Sequence, residues 1–289
     1  MQIFIDQLIT GLTLGSLYAL VALGLTLTFG VVRLINFAHG EFFMLAAYVL
    51  WFLVQQFQIP YLPSAALTAL ALGLIGVLFE RVIVHPILER PWYIHAVATL
   101  AVSTALVSGM NILMGTTPRA APTPYTRTLV PLLGFNISLQ RILIVVVTLI
   151  SFALLNAFVK RTKLGKAMQA MSQNREVCKV VGIDARQVAL VAFAIGAALA
   201  GLAAAFIIPV FVITPDIGAN ITLRAFATII VAGMGKVQET LYGAFLLGVT
   251  EAFVAGYITS AYAPVAPFLM MIFVLLFRPE GIFGRKVGL

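Results

Sequence analysis

Four residues of this sequence carry groups able to do chemistry in places where such groups are costly. Asn36, His39 and Glu41 belong to the run Asn36-Phe37-Ala38-His39-Gly40-Glu41 at the start of one apolar segment, and Glu251 falls near the middle of another, 240–259. A charge near the centre of a bilayer costs at least about 2.5 kcal/mol even on lenient insertion scales, so such groups are candidates for lining or gating a solute path. Each also has a structural reading. Asn36 can cap a helix and Glu41 complements its positive N-terminal end; Glu251 can be a carboxyl held neutral or hydrogen-bonded between helices.

Other chemistries find no support. Gly233-Met234-Gly235-Lys236 lacks the length and the Ser/Thr of a GxxxxGK[ST] phosphate loop. His39, His85 and His95 have no metal-ligand spacing, so no metal site is expected. There is no GxSxG, and Ser16, Ser103 and Ser151 sit in apolar segments where hydroxyls usually bond back to the preceding turn. We therefore expect no catalytic residue and no cofactor bound by this chain.

The elements that must position these residues are set by hydrophobicity. Of 289 residues, 62% are hydrophobic and 10% charged, against roughly 45–50% and about 25% in soluble domains. Charge-free runs recur at 7–30, 42–79, 91–118, 187–215 and 252–277, and a bilayer-spanning helix needs about 20 such residues. Barrel strands would instead alternate apolar and polar residues. The expected fold is all-α, a polytopic transmembrane helical bundle forming one domain over 1–289. No Lys or Arg precedes Arg33, so the first run reads as a retained helix rather than a cleaved signal. The single cysteine, Cys178, excludes an internal disulfide.

Charge distribution orients the bundle. Lys160, Arg161, Lys163, Lys166, Arg175, Lys179 and Arg186 account for seven of the 18 basic residues, the pattern of a cytoplasmic loop rather than of a nucleic-acid surface. This loop, about 160–186, is also a candidate docking surface. Alternation from it gives segments at 7–29, 42–55, 62–79, 95–113, 141–159, 187–208, 223–235, 240–259 and 265–277. The region about 115–140, with Pro118, Pro122, Pro124 and Pro131, reads as an external loop. The stretch 225–235 is charge-free for only half a bilayer. If it merely dips in, Arg278, Arg285 and Lys286 end outside, so the charge rule favours a broken but crossing segment, nine crossings and a cytoplasmic C-terminus, with eight as the alternative if one short helix is re-entrant. Gly-interrupted short segments in both halves, 30–40 and 233–235, point to discontinuous helices around a midplane path.

In these residues the chain resembles the permeases of branched-chain amino acid ABC importers, of the LivH type. The resemblance covers essentially the whole chain. It rests on Gly11-Leu12-Thr13-Leu14-Gly15-Ser16-Leu17-Tyr18-Ala19-Leu20, Ile35-Asn36-Phe37-Ala38-His39-Gly40-Glu41, Gly115-Thr116-Thr117-Pro118-Arg119, Gly182-Ile183-Asp184 and Arg278-Pro279-Glu280-Gly281-Ile282-Phe283-Gly284, in that order. The turn Gly235-Lys236-Val237-Gln238-Glu239 departs from the Gly-Ser-x-x-Gly often found in such permeases.

The resemblance implies a bacterial inner-membrane permease subunit that works with a second homologous permease, two cytoplasmic ATPases and an extracytoplasmic solute-binding protein. ATP and Mg2+ would sit on the ATPases. The cargo would be leucine, isoleucine or valine, with urea, short amides or other amino acids carried by similar relatives. It also implies that 166–184 is the element coupled to the ATPases, with Lys166, Met168, Met171, Val177, Lys179, Val181, Gly182 and Asp184 as its residues. Met and Val would give adaptable apolar contacts and the basic residues would meet an acidic rim. Two rival readings are an ion-coupled secondary transporter with a His39, Glu41 and Glu251 relay, and a membrane-embedded enzyme acting on lipid, for which no nucleophile or metal cluster is visible.

Overall fold

The computed structural model describes residues 2–132 and 135–284. In chain order the helices are α1 (Gln2–Val32), α2 (His39–Trp51, extended by a π-turn Phe52–Gln56), α3 (Tyr61–Phe79, extended by a π-turn Glu80–Val84), α4 (His85–Ile87) and α5 (Trp92–Met114). A short α6 (Pro124–Arg127) and the strands β1 (Leu129–Leu132) and β2 (Phe135–Ser138) follow, then α7 (Leu139–Arg161), α8 (Lys163–Gln173) and α9 (Arg175–Val180). The chain continues through α10 (Ala185–Ile207), α11 (Ile217–Ala232), α12 (Val237–Tyr257) and α13 (Ala266–Phe277). Each of the nine expected apolar segments coincides with a helix, as it must if backbone polar groups in lipid are to be paired within the segment.

Six of these helices are long and apolar enough to cross a membrane. α2, α11 and α13 are shorter, with 13, 16 and 12 residues. Hydroxyls bond back one turn along the long helices, Thr13 to Ile9 at 2.9 Å and Ser16 to Leu12 at 2.8 Å among them. Ser103 departs from that expectation, since its hydroxyl leaves its own helix and donates to Glu41.

Two ends of the bundle can be told apart. At one end β1 and β2 form an antiparallel hairpin, pairing Leu129 with Ser138 and Leu132 with Phe135. At the other, α8 and α9 occupy the basic stretch 160–186. Near the hairpin end Gln140 donates to the Tyr61 hydroxyl at 2.7 Å and to the Phe206 carbonyl at 2.6 Å, tying the starts of α7 and α3 to the end of α10. Arg119 exchanges two backbone hydrogen bonds with Ile213, 3.0 and 2.8 Å, and its guanidinium lies 4.3 Å from the Trp51 ring centroid.

α1 lies at the centre of the packing, against α12, α10, α11 and α7. Its approach to α12 uses small residues: a Cβ on Gly248 would lie 2.2 Å from the Gly15 nitrogen and 2.7 Å from the Gly11 carbonyl. Such backbone approach gives dispersion contacts where lipid removes the hydrophobic incentive for helices to associate. α5 is the opposite case, burying only His95, Thr99, Ser103 and Met110.

Candidate functional site: a junction of two half-helices

α1 ends at the basic end, where the Arg33 nitrogen donates to the Phe29 carbonyl at 2.8 Å and Arg33 takes φ +54°, a left-handed helix stop. The chain then turns back into the bundle. Thr99 holds this segment: its hydroxyl donates to the His95 carbonyl one turn back at 2.9 Å and accepts from the Phe37 nitrogen at 3.2 Å. α2 therefore starts in the interior, at His39. A Cβ on Gly24 would lie 2.6 Å from the Gly196 carbonyl and 3.1 Å from His39 Nε2. Gly196 is the twelfth of 23 residues in α10, so His39 is level with the middle of that helix.

α11 begins close by. The Gly40 nitrogen donates to Thr222 Oγ1 at 2.9 Å, and that hydroxyl donates to the Gly218 carbonyl at 3.0 Å. A Cβ on Gly40 would stand 2.1 Å from the Gly218 carbonyl, and one on Gly218 2.2 Å from Glu41 Oε2. The starts of the two half-helices thus lie together at mid-depth, with the irregular lead to α2 packed beside α11 through Phe37 and Phe226, ring centroids 5.6 Å apart. The Gly-interrupted segment 30–40 corresponds to this junction. The late one, 233–235, corresponds to the turn that ends α11, with Gly233 at φ +106° and Gly235 at φ +87°.

Asn36, His39 and Glu41 are all fully buried. Asn36 does not occupy the cap position, which falls on Ala38; its Oδ1 accepts from the Ala38 nitrogen at 3.0 Å instead. His39 Nε2 lies 3.1 Å from the Val21 carbonyl, a contact that requires the proton on that nitrogen. Glu41 sits in the first turn of α2, where the helix dipole favours a carboxylate, and its Oε1 accepts from Ser103 at 2.9 Å. Asn36 Nδ2, His39 Nδ1 and Glu41 Oε2 have no hydrogen-bond partner among the described residues.

Glu251 is not part of that cluster. Tyr18 donates to its Oε2, and Arg224 Nη2 lies 3.2 Å from its Oε1. The Arg224 guanidinium also lies 5.9 Å from the Tyr18 ring centroid. α1 and α11 connect the two clusters, since Tyr18 and Val21 stand one turn apart on α1 and Thr222 and Arg224 share α11. Sequence reasoning missed Tyr18 and Arg224. The signal for Arg224 was an ionisable residue bordering the short charge-free stretch, but counting that stretch from Ala225 left it outside.

At the basic end the coupling residues are split. α8 is capped by Thr162, whose Oγ1 accepts from the Gly165 nitrogen at 2.9 Å. Met168 and Met171, expected to offer contacts to a partner, are instead buried at 2% and 1% exposure. They lie one turn apart on the face of Gly165, which abuts the end of α7 so closely that a Cβ would meet the Phe158 carbonyl at 2.3 Å. The free apolar surface is Val177, Val180 and Val181, with Val180 at 87% exposure. Lys166 is exposed; the Lys179 side chain lies outside the described residues. Gly182 has φ +78° and Asp184 caps α10, accepting from the Arg186 nitrogen at 2.9 Å.

A further residue ties this region to the junction. Arg33 Nη2 lies 3.3 Å from the Ser172 carbonyl and 3.4 Å from that of Gln173, at the C-terminal end of α8 where a cation is favoured. Arg33 thus touches α8 at the point where the chain turns inward toward His39.

A polytopic helical membrane protein with discontinuous helices meeting at mid-depth has the architecture of a transporter subunit. Residues 7–275 match the family described as branched-chain amino acid transport system / permease component, and the chain belongs to that family. It is 34% identical to the high-affinity branched-chain amino acid transport system permease protein BraD of Pseudomonas aeruginosa, over 98% of this chain and 96% of that protein. It is 30% identical to the probable branched-chain amino acid transport permease protein LivH of Methanocaldococcus jannaschii, over 93% and 89% of the two chains. Similarity extends to the permease protein LivM of Escherichia coli, 24% identical over 93% of this chain and 68% of that one. No solved structure matches.

Proposed function

We propose that this chain is one of two permeases of an ATP-driven importer for leucine, isoleucine and valine, in the bacterial inner membrane. Two cytoplasmic ATPases carrying ATP and Mg2+ would dock on the basic end and a solute-binding protein on the hairpin end. The family match and the printed names of relatives at 30–34% identity support the cargo class. The similarity to LivM supports a second, related permease as the partner. The basic charge of 160–186 supports a cytoplasmic position for that end, and with it a cytoplasmic C-terminus, because α13 leads back toward it: the Ile282 nitrogen donates to the Val231 carbonyl at the end of α11.

The observation that carries the mechanism is the half-helix junction with its three unpaired polar atoms. Buried polar groups without protein partners are costly unless water or a moving group pairs them, and in this reading their contacts change during the cycle. In this reading Asn36, His39 and Glu41 act as a gate rather than as an open lining. Glu251 acts with Tyr18 and Arg224 to hold α1, α11 and α12 in register. ATPase closure would move α8 and α9 through Val177, Val180 and Val181, and Arg33 would pass that movement to the segment before α2. Co-purification of the tagged chain from mild detergent tests the assembly. The reading expects an ATPase and a second permease; recovery of the folded chain with neither, together with uptake independent of ATP, would favour an ion-coupled transporter instead.

A further inference from the structure

α11 exposes two polar side chains, Asp216 and Asn220, on a face where a membrane helix against lipid would present only apolar ones. Asp216, at its N-cap, and Ala219, Asn220 and Leu223 fall within one stripe and all four are exposed, with Leu223 at 50%. Arg224 borders the stripe and its side chain is 23% exposed. The depth of this face is fixed by its neighbours in sequence. Asn220 lies between Gly218, which abuts Glu41, and Thr222, which accepts from Gly40, at the level of the bundle's middle. Further along the same face Ala227 and Val231 are buried, and the Val231 carbonyl accepts from Ile282.

Thr104 on α5 is exposed as well, but its hydroxyl bonds back to Leu100 at 3.0 Å and tolerates hydrocarbon. Asn111 on α5 does the same through its amide, which donates to the Val107 carbonyl at 3.0 Å. A carboxylate has no such recourse, and the Asn220 side chain makes no hydrogen bond among the described residues. In hydrocarbon each such group costs several kcal/mol. α5 is the contrasting surface, with Val97 at 67% and Leu100 at 54% exposure well inside the helix.

Resting on the importer reading above, we propose that the first two turns of α11, through Asp216, Asn220 and Leu223, line a water-filled vestibule for the solute, open toward the hairpin end and closed near Ala227. The vestibule lies at the seam with the second permease, on the surface of this chain rather than through its packed interior. The solute it admits is small, polar and hydrated.

The test is thiol accessibility of the assembled transporter in native membranes, in a Cys178→Ala background. Asn220→Cys, with Leu223→Cys as a second site should the first fail to assemble, is treated with a membrane-impermeant methanethiosulfonate. Leu100→Cys, nearer the middle of α5 and 54% exposed, is the lipid-facing control. We expect Asn220→Cys to react at least about tenfold faster than Leu100→Cys, because water reaches one and hydrocarbon covers the other. Reaction of both α11 positions only with a lipophilic maleimide would place the face against lipid; reaction with neither reagent would place it against protein. Either result overturns the proposal. Labelling requires no transport, so a wrong cargo would appear separately, as absent uptake by a complex that labels as expected.

Discussion

Gly40 and Gly218 lie back to back where α2 and α11 begin, so that a Cβ on Gly40 would come within 2.1 Å of the Gly218 carbonyl oxygen. Neither helix can give way cheaply, because the contact is backbone on backbone. Gly40→Ala should destabilise the detergent-solubilised permease by about 3 kcal/mol, the upper range for overpacking, measured by thermal unfolding. Gly109→Ala on α5, where a Cβ meets nothing within 4 Å, is the matched control and should be neutral or slightly stabilising. Equal stability of the two variants would show that the half-helices do not pack this closely.

The Arg33 contacts with the last carbonyls of α8 are exposed and worth about 0.3–1 kcal/mol. Arg33→Ala should leave the protein folded but free the end of α8, seen as faster amide hydrogen exchange across α8 and as less uptake per ATP hydrolysed. Arg33→Lys, which keeps the charge, should recover part of both. Unchanged exchange in the alanine variant would remove Arg33 from the coupling route.

Glu251 and Arg224 should behave as a pair. Removing one member of a buried pair costs about 3–5 kcal/mol, and the partial exposure of Arg224 places this case at or below the low end of that range. Glu251→Gln and Arg224→Gln should each lower the unfolding midpoint, and the double variant should lose less than the sum by at least about 1 kcal/mol. Strict additivity would mean that the two side chains act independently.

Much of this fold was legible because membrane helices announce themselves by length and composition. The half-helix α11 was visible as a charge-free stretch too short for a bilayer, and the break before His39 as a polar run between apolar ones. What could not be read was who meets whom. Tyr18 and Glu251 are 233 positions apart, and no local period links them. Met168 and Met171 share a helix face with Gly165, but whether a partner or α7 covers that face is decided by tertiary packing. Asp216 and Asn220 carry no signal in the sequence, because their depth is set by where α11 starts against α2.

The same packing alters what the native cysteine can report. Cys178 is 4% exposed, so in the folded chain it should react slowly with aqueous maleimide, whereas Lys163→Cys, at an exposed position, should react quickly and only from the ATPase side. Labelling of Lys163→Cys from the opposite face would invert the orientation assigned to the bundle, and rapid labelling of Cys178 would contradict the packing of α9.

The central claim is that this chain forms the path of a transporter whose energy comes from ATP hydrolysed elsewhere. Its most direct measurement is uptake of radiolabelled leucine into proteoliposomes holding the permease pair and its ATPases, with the solute-binding protein added on the outside. The account predicts uptake that requires ATP on the ATPase side and the binding protein on the other, and that persists when ion gradients are collapsed. Uptake by the permease chains alone, driven by an ion gradient and indifferent to ATP, would contradict it.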